Sequence, residues 1–183
     1  YSPLSLSINS VNFLKEKNIW DENLIKSNLI ESLYIKLFNS FNTIKISTSD
    51  INLESIGEVV DKVSFLSHLR NLCKKKKNID VMDNTELDIN QLESLSKIYL
   101  PNESKALDFG QLIVTDGTNS KFAEKLNIPY KSINYDQTSY IFNSEYDSME
   151  KSAAQIFTDK GVFAVLPGNG NKKSIVATIH NKF

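Results

Sequence analysis

Cysteine is nearly missing from this chain. Cys73 stands alone, so no disulfide can form within the polypeptide. A reducing, cytoplasmic setting is the simple expectation. Cys73 lies in an amphipathic segment beside four lysines, and a lone helix-borne thiol reads as inert rather than nucleophilic. Long apolar runs are missing too: none approaches the ~20 residues that span a bilayer, and no secretory leader pattern is visible. Charge of one sign is missing as well. The 21 basic and 22 acidic side chains leave a formal net charge of −1, which gives nucleic acid no support as a partner.

The chemistry-bearing motifs are also sparse. The two histidines, His68 and His180, have no second His, Cys or carboxylate at ligand spacing, so a metal site gets little weight. Neither has the supporting constellation of a general base. No nucleophile elbow, glycine-rich phosphate loop or internal repeat is found.

What is present is a foldable core. The chain has 183 residues and is 40% hydrophobic, enough for one domain, or for one and part of another. It opens on Tyr1 and closes on a strand-like run, so a piece of a longer polypeptide is expected.

The most informative stretch is residues 111–120. Gln111, Leu112, Ile113 and Val114 read as a short buried strand. Asp116 and Gly117 then break it, with Gly117 permitting a tight turn and Asp116 able to bind backbone amides. Asn119 or Ser120 is the expected N-cap of a helix over residues 121–126. Asn127, Ile128 and Pro129 close it, because proline disfavours helix in the residue before it. Strand, acidic glycine turn and helix start together can present a carboxylate and free N–H groups to hydroxyl or phosphate oxygens.

Elsewhere the apolar spacing of Leu6, Val11, Phe13 and Leu14 predicts a helical face, with a helix over residues 8–17. Trp20 is expected in a hydrophobic cluster. Residues 33–38 and 43–46 read as strands joined by a polar turn, and 50–55 as a polar connector. Residues 56–60 lead into a second helix, on which Phe65, Leu66, Leu69 and Leu72 recur at helical spacing. His68 falls among them as an ordinary exposed or capped histidine. Lysines 74–77 end that helix. Cations suit a helix C-terminus, and that reading is favoured over a patch for anionic phospholipid head groups.

Residues 79–82 are expected as a short strand, 87–100 as a strand pair or a strand with a polar turn, and 101–105 as a turn. The last third alternates. Residues 132–144, 153–157, 162–166 and 174–180 are expected strands of an antiparallel sheet with one buried face. Hairpin turns are expected at 159–161 and 168–171.

Four blocks in this order resemble the flavin-dependent aromatic hydroxylases of ubiquinone biosynthesis, polyprenylphenol hydroxylases with the fold of p-hydroxybenzoate hydroxylase. The first is residues 4–20, similar to the family's helix ending in glycine, a hydrophobic residue and tryptophan, with Asn18 in place of the glycine. The second is Ile56 to Asp61 with the helix at 66–72. The third is residues 112–120, similar to the family's Asp-Gly motif. The fourth comprises Tyr135, Asp136 and Gln137, then Ile141 to Asn143, then Phe157, Thr158 and Gly161 through Pro167.

The resemblance implies an α/β (α+β) fold: a mixed sheet with helices and an antiparallel sheet on the substrate side. It divides the chain into a partial FAD-binding domain at 1–130 and a partial substrate-binding sheet at 131–183. The implied cofactor is FAD, with NAD(P)H as electron donor and O2 as co-substrate. Bound flavin would activate oxygen and deliver OH to the ring of a polyprenylated phenol, with the protein positioning it and excluding water. Asp116 and Gly117 would lie near the dinucleotide, and Lys62 where many relatives place a flavin-contacting polar residue. Peripheral contact with the inner membrane would follow from so apolar a substrate, and the resemblance also implies a quinone-synthesis complex as a partner.

The departures are specific. The family's Gly-x-Gly-x-x-Gly, which holds the pyrophosphate, would fall before Tyr1. Its later Gly-Asp motif would fall after Phe183. One family arginine would fall at about Ser2, and another at Ala123. A non-catalytic relative that binds a lipid or a partner is the alternative these departures leave open.

Overall fold

The computed structural model describes residues 2–85, 87, 92–94, 96–100, 106–145, 151–168 and 172–183. In chain order the elements are β1 (Pro3–Ser7), α1 (Ile8–Glu16), β2 (Ser27–Ile30), β3 (Ser32–Leu37), β4 (Thr43–Ser47), α2 (Thr48–Ile51), β5 (Gly57–Asp61) and α3 (Lys62–Lys74). There follow β6 (Leu92–Ser94), β7 (Lys97–Tyr99), β8 (Ala106–Asp108) and α4 (Lys121–Lys125). The chain ends in β9 (Gln137–Glu145), β10 (Ser152–Phe157), β11 (Gly161–Pro167) and β12 (Lys172–His180). They form a mixed α/β fold in two compact units, residues 1–80 with 134–183, and residues 81–133.

The first unit begins with a three-stranded antiparallel sheet in the order β1-β5-β2. Leu6, expected on a helical face, is instead in β1. The helix starts at Ile8 because Ser7 caps it, its hydroxyl accepting from the Ser10 amide at 3.2 Å. The expected lead into a second helix, residues 56–60, is largely strand β5. Gly57 is required there: a Cβ would sit 2.5 Å from the Leu6 carbonyl oxygen. Four of the five residues of β5 are buried, Glu58 among them, so the strand has no alternation of apolar and polar residues to mark it.

Val60 of β5 packs with Val11, Trp20, Ile25 and Phe65 in one core cluster. The rings of Trp20 and Phe65 are 6.0 Å apart and tilted, a favourable aromatic geometry. Trp20 is thus core, as expected. Asn18 follows α1 with φ +54, the left-handed conformation that ends helices and that glycine and asparagine adopt most readily. This is the physical reason asparagine can replace the glycine at that position.

The larger sheet has six strands in the order β4-β3-β10-β11-β12-β9. The four C-terminal strands pair antiparallel, as the alternation predicts, and β10 pairs in parallel with β3. Strands from before residue 130 and after it therefore share one sheet. Thr158, Asp159 and Lys160 connect β10 to β11, as expected of that hairpin. Ala153 of β10 packs with Ile30 and Val59, joining the two sheets in a second cluster. β9 departs from the expected half-buried strand: all nine residues are exposed. Residues 50–55 are not wholly connector, since Asp50 and Ile51 end α2, a single turn.

The second unit holds a three-stranded antiparallel sheet, β6-β7-β8. Ile98 is its buried residue. The expected strand pair at 87–100 is found as β6 and β7. Residues 79–82 carry no strand. The expected turn at 101–105 and residues 169–171 of the expected hairpin turn lie outside the described residues.

Candidate cofactor-binding site

The expected site residues fall in different units. Lys62 belongs to the first and Asp116 and Gly117 to the second.

Lys62 is the first residue of α3 and its side chain is exposed. Its surroundings are closely fixed. The Lys62 amide donates to the Ser2 carbonyl oxygen at 2.8 Å, and the Ser2 amide donates to Asp61 Oδ1 at 3.0 Å. Asp61 Oδ2 caps α3, accepting from the Ser64 amide at 3.0 Å and its hydroxyl at 2.8 Å. The Ser2 amide, followed by the Ser64 hydroxyl, holds the Asp61 carboxyl below the usual carboxylate range. The carboxylate is thus committed to local amides. The ammonium of Lys62 stands at the positive end of a 13-residue helix, where an anion is favoured.

Sequence reasoning missed this clasp. Its signal was present: Asp61 followed three residues later by Ser64, ahead of an apolar periodic run, marks a helix start. The clasp also brings together two positions that the resemblance had kept apart, the one about Ser2 and the one at Lys62. The first lacks the arginine and the second supplies a cation.

Residues 111–114 are not the expected buried strand. They run without ladder partners among the described residues, and Ile113 is 73% exposed. Apolar, β-branched composition marks a segment able to pair, but burial also needs neighbours on both faces. The turn that follows is as expected. Gly117 has φ +96, and a Cβ there would meet nothing within 4 Å, so glycine serves the conformation and not close approach. Asp116 is exposed. Of the two expected caps, Ser120 is the one used: its hydroxyl accepts from the Ala123 amide at 2.9 Å and starts α4. Asn127, at φ +53, follows the helix end.

His68 is buried, not exposed, and its Nε2 lies 2.9 Å from the Ile19 carbonyl oxygen. A carbonyl only accepts, so Nε2 carries the proton and the ring ties α3 to the chain leaving α1. A cleft of about 420 Å³ beside it is lined by Ile19, Asp21, His68 and Lys75 among others. A second, of about 500 Å³, is lined by Lys15, Trp20, Ser27 and Glu58 among others. Neither takes in Lys62.

The residues fit FAD in part. A helix-end cation suits phosphate or polarised carbonyl oxygens, and an exposed carboxylate on a glycine turn suits hydroxyls. No Gly-x-Gly-x-x-Gly, the pattern that cradles a dinucleotide's pyrophosphate, occurs in the sequence.

No family model matches the chain. A search of curated proteins finds similarity to the mitochondrial ubiquinone biosynthesis monooxygenase COQ6 of Caenorhabditis elegans, 27% identical over 172 residues. The match takes in 90% of this chain and 38% of that protein, so the chain spans well under half of its relative. Among solved structures, PqsL of Pseudomonas aeruginosa in complex with 2-aminobenzoylacetate superposes with a TM-score of 0.75 at 10% identity, over 97% of this chain and 50% of that one. HpxO of Klebsiella pneumoniae, solved with FAD and uric acid, superposes with a TM-score of 0.65 at 11% identity, over 97% and 47%. PqsL is described as a probable FAD-dependent monooxygenase.

The fold is that of a flavin-dependent monooxygenase segment. The similarity in sequence is to a monooxygenase of ubiquinone biosynthesis, and the similarity in structure is one of fold.

Proposed function

We propose that the chain is the central part of an FAD-dependent monooxygenase. Its substrate would be a polyprenylated phenol of ubiquinone synthesis, hydroxylated on the ring with NAD(P)H and O2. Similarity to COQ6 over 90% of the chain is the observation that carries this reading. Bound flavin would supply the oxygen activation. The chain's own residues would do the rest. Lys62, whose backbone is held at the start of α3 by Ser2, would contact the cofactor through its exposed ammonium. Asp116, on the Gly117 turn, would accept from cofactor hydroxyls. Strands β9 to β12, with their apolar rows, would cover the aromatic substrate and keep water out.

Residues 1–130 would then serve the cofactor and 131–183 the substrate. No helix among the described residues is long and apolar enough to cross a membrane. A polyprenyl tail would be met by peripheral contact with the inner membrane, within a quinone-synthesis complex.

A second reading has one observation in its favour. Both arginine positions implied by the resemblance are lost, to Ser2 and to Ala123, and Arg70 is the chain's one arginine. A non-catalytic relative that binds a lipid or a partner would show this pattern.

The two readings separate in one experiment. The chain is purified with its natural flanks and its visible absorbance is recorded. Flavin bands at one equivalent per chain are expected, and NAD(P)H consumption should rise with a prenylated phenol. A colourless protein that gains no flavin on addition of FAD would overturn the enzyme reading in favour of the second.

A further inference from the structure

We propose that the cleft beside Trp20 binds a small primary aliphatic amine, whose ammonium is taken by Glu58. The cleft measures about 500 Å³, and every residue lining it lies between Ile8 and Glu58 in the first unit. Strand geometry puts a carboxylate in its wall. Side chains two apart on a strand share a face, so Glu58 stands on the same side of β5 as Val60, which packs with Val11 of α1.

Glu58 is only 4% exposed, yet a single neutral donor meets it. Ser27 Oγ donates to Glu58 Oε2. The register explains this contact: Leu29 of β2 lies directly opposite Glu58, and Ser27 is the diagonal neighbour. Oε1 has no hydrogen-bond partner among the described residues and is not sealed off, so it opens into the cleft that Glu58 lines. A carboxylate withdrawn from water and met by one hydroxyl is under-satisfied, and a cation remedies that best.

The lining carries three carboxylates, Glu22, Glu54 and Glu58, against the ammoniums of Lys15 and Lys26. Lys15 is committed to Glu22 at 2.8 Å, and neither lysine closes an ion pair with Glu58. Lys15 is held above the usual lysine range, first by its hydrogen bond with Glu22 and also through space by Glu58 and Glu54. Negative potential thus gathers in this cleft. The free oxygen selects the cation. A guanidinium fork needs both oxygens of a carboxylate, and Ser27 holds one; an ammonium is a point charge that one oxygen can take. Among the described residues no group of His, Cys, Asp and Glu could hold a metal ion. Trp20, Ile25 and Leu29 give the same cleft an apolar wall for the alkyl part of the ligand.

Calorimetric titration of the chain with its natural flanks tests the site, with butylammonium chloride as the probe at fixed ionic strength. One saturable site is expected, and butan-1-ol, the neutral analogue, should bind about tenfold more weakly or worse. Glu58→Gln keeps the shape of the side chain and an oxygen for Ser27, and should cost about tenfold in affinity for the probe. Glu54→Gln alters an exposed carboxylate of the lining and should weaken binding several-fold, while Glu145→Gln, outside the cleft, should leave it unchanged. No saturable binding of butylammonium, equal affinity for the alcohol, or undiminished affinity in a folded Glu58→Gln variant would each overturn the proposal. If Glu58→Gln does not fold, unchanged affinity in Glu54→Gln overturns it instead.

Discussion

Ser2 and Asp61 hold each other across the start of the first unit. The Ser2 amide donates to Asp61 Oδ1 at 3.0 Å, and the Ser2 carbonyl oxygen accepts from the residue after Asp61 at 2.8 Å. One carboxylate thereby closes the β1–β5 ladder and caps α3. Removing it strikes both.

Asp61→Ala should therefore destabilise the chain by about 1 kcal/mol, the usual cost of losing an N-cap. The pH dependence gives the sharper test. The Asp61 carboxyl is held low in the folded state, chiefly by the Ser2 amide. Its contribution is complete above the unfolded carboxylate value, ~3.9, and is lost as pH falls through the lower folded value. Urea unfolding of parent and variant should differ most at neutral pH and converge in acid. A gap that stays constant down the acid limb would show that the charge of Asp61 contributes nothing.

Gly161→Ala should be among the costliest single changes in the chain. Gly161 begins β11 with φ +153, and a Cβ would lie 2.0 Å from the Thr178 carbonyl oxygen, inside its own sheet. Backbone cannot swing aside as a side chain can, so the cost should reach at least the ~1–3 kcal/mol of an overpacked core. Gly110→Ala is the control, since a Cβ there meets nothing within 4 Å. Equal melting temperatures for the two variants would contradict the predicted close approach.

His68→Ala should cost ~1–3 kcal/mol, because it leaves the Ile19 carbonyl without its buried donor. His68→Gln can still donate and should recover part of the loss. Trp20, adjacent to Ile19 and the sole tryptophan, reports unfolding directly by its fluorescence. A variant with unchanged midpoint would mean that the histidine is merely packed.

Asp116→Ala and Lys62→Ala should separate binding from folding. Both side chains are exposed, so stability should move by no more than ~0.5 kcal/mol. In the chain with its flanks, flavin retained through gel filtration should fall several-fold for each. Undiminished flavin in both variants would remove these residues from the proposed site.

Local chemistry made much of this fold legible in the sequence. The helix after Ser7, the helix ending in the lysine run and the short helix after Ser120 all carry their caps and apolar spacing within a few residues. The hairpin between β10 and β11 is equally local. Where the sequence misled, the cause was long-range. Residues 57–61 are buried on both faces, so they lose the alternation that marks a strand. Residues 111–114 have a strand's composition, yet composition does not supply a hydrogen-bonding neighbour. The candidate site shows the same division: the Asp116–Gly117 turn was legible, while the clasp of Ser2 on Asp61 joins residues 59 apart.

The sequence by itself therefore determined the Ser120 cap, the Asp116–Gly117 turn, the hairpin after β10 and the resemblance to the flavin hydroxylases, because each rests on residues close together in the chain. Only the tertiary structure decided that β3 lies parallel to β10, that β5 is a central strand, that His68 is buried, and that β9 ends its sheet among the described residues. Pairing and burial are properties of neighbours brought from far along the chain, and no local pattern of side chains encodes who those neighbours are.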